Sequence, residues 1–304
     1  MSTIPAMQLK QWSMLLFLSL LWGASFFFMK VALAELPTLT IILLRVSLAA
    51  LALFIYLTLT KSIKLHPLAV WKLFFYLALF NNVIPFALIL YGMTELASGL
   101  ASILNAATPL FTICVAHFAT NDEKLSVAKF IGIALGIVGV AILIGAEMVL
   151  GISTSLLATI ACLGACLSYA FASIIGRQFK QHQVEPKLVA FGQVLTSTII
   201  LLPITLFIDQ PWALAAPSVD VVLSVLALGT LSTAFAYVLY FKLIAQAGAT
   251  NAVLVTLLVP VSAVVLGYLV LNESLGINHF LGMVFIALGL LVIDGRLYRK
   301  IRAA

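Results

Sequence analysis

A chain of 304 residues that is 64% hydrophobic and 9% charged, with a mean hydropathy of +1.23, has too little polar surface to fold as a water-soluble globule. Its net charge of +6 is spread along the chain in small groups, which excludes a nucleic-acid-binding surface. A bilayer core about 30 Å thick takes roughly 20 apolar residues per helix, and ten stretches of that kind are present.

The predicted spans are 11–34, 37–60, 70–93, 97–119, 126–146, 153–176, 188–208, 219–241, 249–271 and 276–294. Their connections leave no room for a soluble domain. The first reads as an uncleaved span, because Gln11 to Met29 is long for a signal core and no small-residue cleavage site follows. It carries Trp22 and Ser25 at depth and Lys30 toward its outer end. The second holds Arg45 about two turns in, and a charge at that depth pairs, snorkels or faces water.

Mid-span prolines come next. The third span has Asn81, Asn82 and Pro85, the fourth Asn105 and Pro109, the ninth Thr256 and Pro260. Proline cannot donate to the carbonyl four residues back, and in lipid that carbonyl must find another partner, so such breaks are expected to line a cavity. Asn81, Asn105 and Thr256 each sit four residues before a proline, which places three polar groups at similar depth. Pro109 and Pro260 are the expected bend points. The fifth and tenth spans bear Gly132, Gly136, Gly139, Gly282 and Gly289, small faces for close packing within the chain.

The sixth span contributes Ser168 and Tyr169, and the eighth Tyr237 and Tyr240. Trp22, Tyr169 and Tyr237 lie deep enough to wall a pore, whereas Tyr91 and Tyr240, near predicted ends, fit an interfacial belt. Cys162 and Cys166 share a helix face without further ligands and read as packing residues, so no metal or cofactor is expected. No carboxylate falls mid-span. Neither paired aspartates nor a Ser–His or His-Glu-x-x-His arrangement occurs in the spans, which excludes the usual intramembrane enzymes.

Fourteen of the 16 Lys and Arg fall on one side of the spans when the N-terminus is placed inside, so both termini are predicted to be cytoplasmic. The halves also repeat each other. Trp22 aligns with Tyr169 and Lys30 with Arg177; Ala101–Ile142 aligns with Ala252–Val292, superposing Pro109 on Pro260, Asn121-Asp122-Glu123 on Asn272-Glu273, and Gly132 and Gly139 on Gly282 and Gly289. Residues 1–147 and 148–304 are therefore expected to be two five-helix repeats. Five is odd, so the second enters the membrane inverted, an arrangement that recurs in secondary transporters.

Leu21-Trp22-Gly23-Ala24-Ser25-Phe26, Leu44-Arg45, Ala106-Ala107-Thr108-Pro109-Leu110, Leu271-Asn272-Glu273, Leu281-Gly282 and Leu288-Gly289, in this order and spacing, resemble the drug/metabolite transporter superfamily, in particular its ten-helix EamA-type members. The resemblance implies an all-α carrier of the cytoplasmic membrane, often an exporter of amino acids or other small metabolites. It also places the second helix nearer the periphery than the pore, which implies a structural or gating role for Arg45. Small four-helix relatives that expel cationic drugs use a glutamate in mid-helix one, and this chain has none there.

The sequence reading is thus a multi-pass inner-membrane secondary transporter that exports a small metabolite, an amino acid or a related compound before others, by alternating access in the lipid bilayer. Its expected site is Trp22, Ser25, Asn81, Asn105, Tyr169, Tyr237 and Thr256. A monomer or weak homodimer is expected, with no nucleic-acid partner. A multidrug efflux carrier and a passive metabolite channel stay open as alternatives.

Overall fold

A computed structural model describes residues 8–64, 66–119, 127–149, 155–247 and 255–294. Among them run ten helices: α1 (Leu9–Ala32), α2 (Thr38–Leu59), α3 (Leu68–Glu95), α4 (Ser98–Ala119), α5 (Val127–Val149), α6 (Ser155–Gln181), α7 (Pro186–Ile208), α8 (219–247), α9 (Val255–Leu271) and α10 (Ile277–Asp294). The described residues contain no strand. Each helix answers to one predicted span. The Asn121-Asp122-Glu123 segment and the basic residues Arg296, Arg299, Lys300 and Arg302 lie outside the described residues.

Seven helices, α1 to α4 and α6 to α8, are long and apolar enough to cross a bilayer, and the apolar stretches of α5, α9 and α10 are shorter. Side chains such as Leu16, Phe17 and Leu20 on α1, Leu51, Phe54 and Ile55 on α2, and Val265, Tyr268 and Leu269 on α9 are exposed. Large apolar side chains exposed on so many helices are what a lipid-facing surface requires. The helices outrun their apolar windows at some ends. Residues Arg177 to Gln181 extend α6 past position 176, because a helix that leaves the bilayer core still satisfies its own backbone.

The packing is symmetric under exchange of the two halves. Helix α1 lies against α8 and α9, and its equivalent α6 lies against α3 and α4. Helix α2 packs on α8 as α7 packs on α3, while α2 meets α7 and α5 meets α10. The α5–α10 seam is closed by glycines: a Cβ on Gly139 would stand 2.7 Å from the Gly282 carbonyl oxygen, and one on Gly289 would stand 2.5 Å from that of Gly132. The glycines that align between the halves are therefore the ones that meet across the seam.

Carboxylates from one half cap helix starts of the other. Asp209, after α7, accepts from the Thr40 amide at 2.7 Å and its hydroxyl at 2.8 Å, at the start of α2. Glu273 accepts from the Ser98 amide and hydroxyl at 2.8 and 2.7 Å and from the Gly99 amide at 3.2 Å, at the start of α4. Glu35 accepts from the Ser218 amide at 2.7 Å, just before α8, and its bonds with Ser218 hold its carboxyl below the usual range. Free N–H groups at helix starts favour such anions. At the other ends of α2 and α7, Glu185 pairs with Lys64 at 2.6 Å and Lys187 at 3.1 Å. The two halves are thus pinned at both faces of the bundle.

Candidate functional site

Helices α3 and α8 occupy equivalent places in the two halves, and each opens into a π-helical turn near its middle, Leu79–Val83 and Thr230–Phe235. In α3 the cause is Pro85, whose ring and missing N–H displace the carbonyl four residues back. In α8 there is no proline. Instead the Thr233 hydroxyl donates to the Leu228 carbonyl, five residues back, at 2.8 Å, filling the place of a main-chain donor. The Phe80 carbonyl, inside the π turn of α3, accepts from Ser168 Oγ of α6 at 2.8 Å.

Each π turn is held by the second helix of the other half. Asn81 Nδ2 donates to Gln193 Oε1 of α7 at 2.7 Å, and Arg45 Nε of α2 donates to Thr233 Oγ1 at 3.0 Å. Arg45 and Gln193 are approximate equivalents in the repeat, so the same brace is built twice with different chemistry. Small residues let the helices close on these bonds: a Cβ on Gly192 would stand 2.5 Å from the Phe74 ring, and one on Gly229 would stand 2.6 Å from Leu48 Cβ. Asn82, fully buried, donates to Ser197 Oγ at 2.9 Å, and Ser197 donates to the Gln193 carbonyl at 2.7 Å. The Tyr237 hydroxyl of α8 joins the group through long bonds of 3.4 Å, accepting from Asn81 and donating to Asn82.

Arg45 stands in the interior, 6% exposed, between helices of both halves. Its guanidinium carbon lies 3.8 Å from the centre of the Phe86 ring on α3, and Nη1 donates to Met29 Sδ of α1 at 3.4 Å. Tyr169 of α6 and Tyr237 of α8 are near enough to interact with its charge. Helix α2 keeps an exposed face at Leu51, Phe54 and Ile55 and packs on α7 and α8 with the other, and Arg45 lies on the buried side. A cation at mid-membrane depth costs a helix about 2.5–3.5 kcal/mol on insertion scales. Among the described residues no carboxylate pairs with it.

The other expected site residues fall around this centre unevenly. Trp22 packs on Tyr240 with ring centroids 5.2 Å apart, and Tyr240 lies beside Tyr237. Tyr240 is thus part of the interior wall and not of a belt, because α8 runs on to residue 247 instead of ending near 241. Tyr91, by contrast, is 44% exposed. Ser25 is buried and spends its proton on the Trp22 carbonyl of its own helix at 2.7 Å. Asn105 presents a buried Oδ1 that has no partner among the described residues. Thr256 is half-buried in the first turn of α9.

Pro109 follows a break at Ala106–Ala107 and stands second in the helical piece Thr108–Ala119, where a missing N–H costs nothing. Pro260 differs from expectation: α9 runs through it unbroken. Packing against α1 holds the helix on both sides of the proline, with Ser262 Oγ donating to the Ser19 carbonyl at 2.9 Å. Cys162 and Cys166 are fully buried, and Cys166 Sγ lies 3.4 Å from the Leu104 carbonyl oxygen. Among the described residues no group of three His, Cys, Asp or Glu side chains could hold a metal. Sequence reasoning missed Gln193, Ser197 and Thr233 as members of the centre; their polarity inside apolar runs was the available signal.

Two matches to one family cover this architecture, at residues 10–145 and 156–294, five helices each. The chain belongs to the EamA-like transporter family. It is a multi-pass membrane transporter and not an enzyme. Among EamA-like relatives, "Uncharacterized transporter YoaV" of Bacillus subtilis (strain 168) is 30% identical, with 90% of this chain and 92% of that one covered. The "Probable amino-acid metabolite efflux pump" of Escherichia coli (strain K12) is 29% identical over 92% of this chain and 93% of that one. Protein PagO of Salmonella typhimurium (strain LT2) is 27% identical over 90% and 88%. A solved crystal structure superposes with a TM-score of 0.68 at 16% identity, over 98% of this chain and 100% of that one, and so shares the fold.

Proposed function

We propose that this EamA-like transporter exports a small metabolite, an amino acid or a related compound, by alternating access at the polar centre between residues 1–147 and 148–304. The observation that carries the reading is the pair of cross-half braces, Asn81 to Gln193 and Arg45 to Thr233, each ending on a π turn in mid-helix. A π turn is a local defect in the backbone ladder, and two of them at equivalent places give two halves that bend in the same way. Trp22, Tyr169, Tyr237 and Tyr240 supply aromatic surface for a side chain, while Asn81 and Asn105 supply amide groups. Pro109, which follows the break at Ala106–Ala107, serves as the bend point of α4.

Export agrees with the name "Probable amino-acid metabolite efflux pump" that two relatives carry, in Escherichia coli and Salmonella typhimurium. The Lys and Arg bias supports a cytoplasmic-membrane location with both termini inside. One chain carries both halves of the site, so a monomer suffices. The test is counterflow in proteoliposomes loaded with unlabelled amino acids, with and without a pH gradient. Saturable uptake of at least one labelled neutral or aromatic amino acid is the expected result. Flux that rises linearly with concentration would make the protein a channel, and no exchange of any amino acid by folded protein would move the cargo out of this class.

A further inference from the structure

We propose that Arg45 is the docking point for a carboxylate of the cargo, which restricts transport to molecules that carry one. This deepens the transport reading above and rests on it. The first argument is charge. Arg45 is buried with no ion pair among the described residues, and the chain has no Asp or Glu mid-span that could approach it in another conformation. No side chain of the spans supplies a counter-charge at that depth, so a carboxylate that pairs with Arg45 comes from outside the protein.

The second argument is that bracing does not need the charge. Gln193 performs the equivalent task in the other half, holding the π turn of α3 with a neutral amide. A cation on α2 is therefore surplus to the structural role that its bond to Thr233 performs. The third argument is geometric. Stacking on Phe86 covers one face of the guanidinium and uses none of its N–H groups. Of its five N–H groups, one goes to Thr233 and one to Met29 Sδ, so three have no partner among the described residues. Two parallel donors are what a carboxylate takes in a bidentate pair. Tyr169 and Tyr237 beside the same group add neutral hydroxyls, and the Trp22–Tyr240 pair stands near Tyr237 to receive an apolar side chain. The same charge repels organic cations. Amines formed by decarboxylation, amino-acid amides and esters are excluded as cargo.

The experiment is thermal unfolding of the purified full-length protein in detergent and low-chloride buffer, titrated with the protein amino acids and separately with their amides. At least one amino acid is expected to raise Tm, at a concentration about ten-fold or more below that needed by its amide, the scale of a charged hydrogen-bonded contact. Arg45→Gln abolishes that difference and Arg45→Lys keeps part of it. Equal shifts from acid and amide in the unaltered protein overturn the proposal without any variant. So do an acid preference that survives Arg45→Gln, a shift from chloride in place of the amino acids, and the absence of any carboxylate effect. Acid-selective binding without counterflow would leave this inference standing and sink the transport reading; counterflow without acid preference would do the reverse.

Discussion

Replacing Thr233 with valine is expected to destabilise the protein by about 3–5 kcal/mol, more than any other single change of equal shape. The hydroxyl does two jobs at once, donating to the Leu228 carbonyl and accepting from Arg45 Nε. Valine keeps the volume and strands both groups in the interior, where each unmet polar group costs about 1–3 kcal/mol and a charged one more. Ordinary hydrogen bonds between membrane helices average only about 0.6 kcal/mol, because the unfolded helices also find partners in lipid. The guanidinium decides the balance here, since no carboxylate among the described residues can replace Thr233. Thr233→Ser keeps the hydroxyl and recovers most of the loss in a thermal-unfolding series. Valine as stable as threonine would mean that the π turn of α8 is set by the close α2–α8 packing at Gly229.

Asn81→Leu is expected to slow transport about ten- to hundred-fold in protein that still inserts and folds. The estimate takes the 1–3 kcal/mol cost of stranding a buried amide partner and converts it at about 1.4 kcal/mol per ten-fold. Gln193→Leu should do the same, since it removes the other end of a 2.7 Å bond. The double variant leaves neither amide stranded and should be no slower than either single one. That non-additivity is the signature of one brace between the halves. Losses that simply add would assign the two residues to separate tasks.

Much of this fold is written in features that do not depend on tertiary contacts. Apolar runs of bilayer length set the ten helices, and glycines at matching positions in the fifth and tenth spans marked the seam that Gly139 and Gly289 close. Asn81 was visible because a proline follows it. The π turn of α8 was not, because no proline announces it and a threonine hydroxyl does the work. Gln193 gains its meaning only when α7 lies against α3, a pairing that no local pattern encodes. Tyr240 was misplaced by an apolar window that ends near Lys242, although the helix continues into the polar region. Pro260 obeys the chemistry of a lost hydrogen bond but not the expected break, since α9 is continuous through it where it packs against α1.

In alternating access the polar centre between the halves is reached from each side of the membrane in turn. A cysteine at position 237, in a chain whose Cys114, Cys162 and Cys166 are replaced by alanine, tests this directly with an impermeant thiol reagent applied to right-side-out and to inverted vesicles. Modification is expected from both faces, slowed on both by a saturating cargo identified by counterflow. Modification from one face only, at a rate indifferent to cargo, would contradict it.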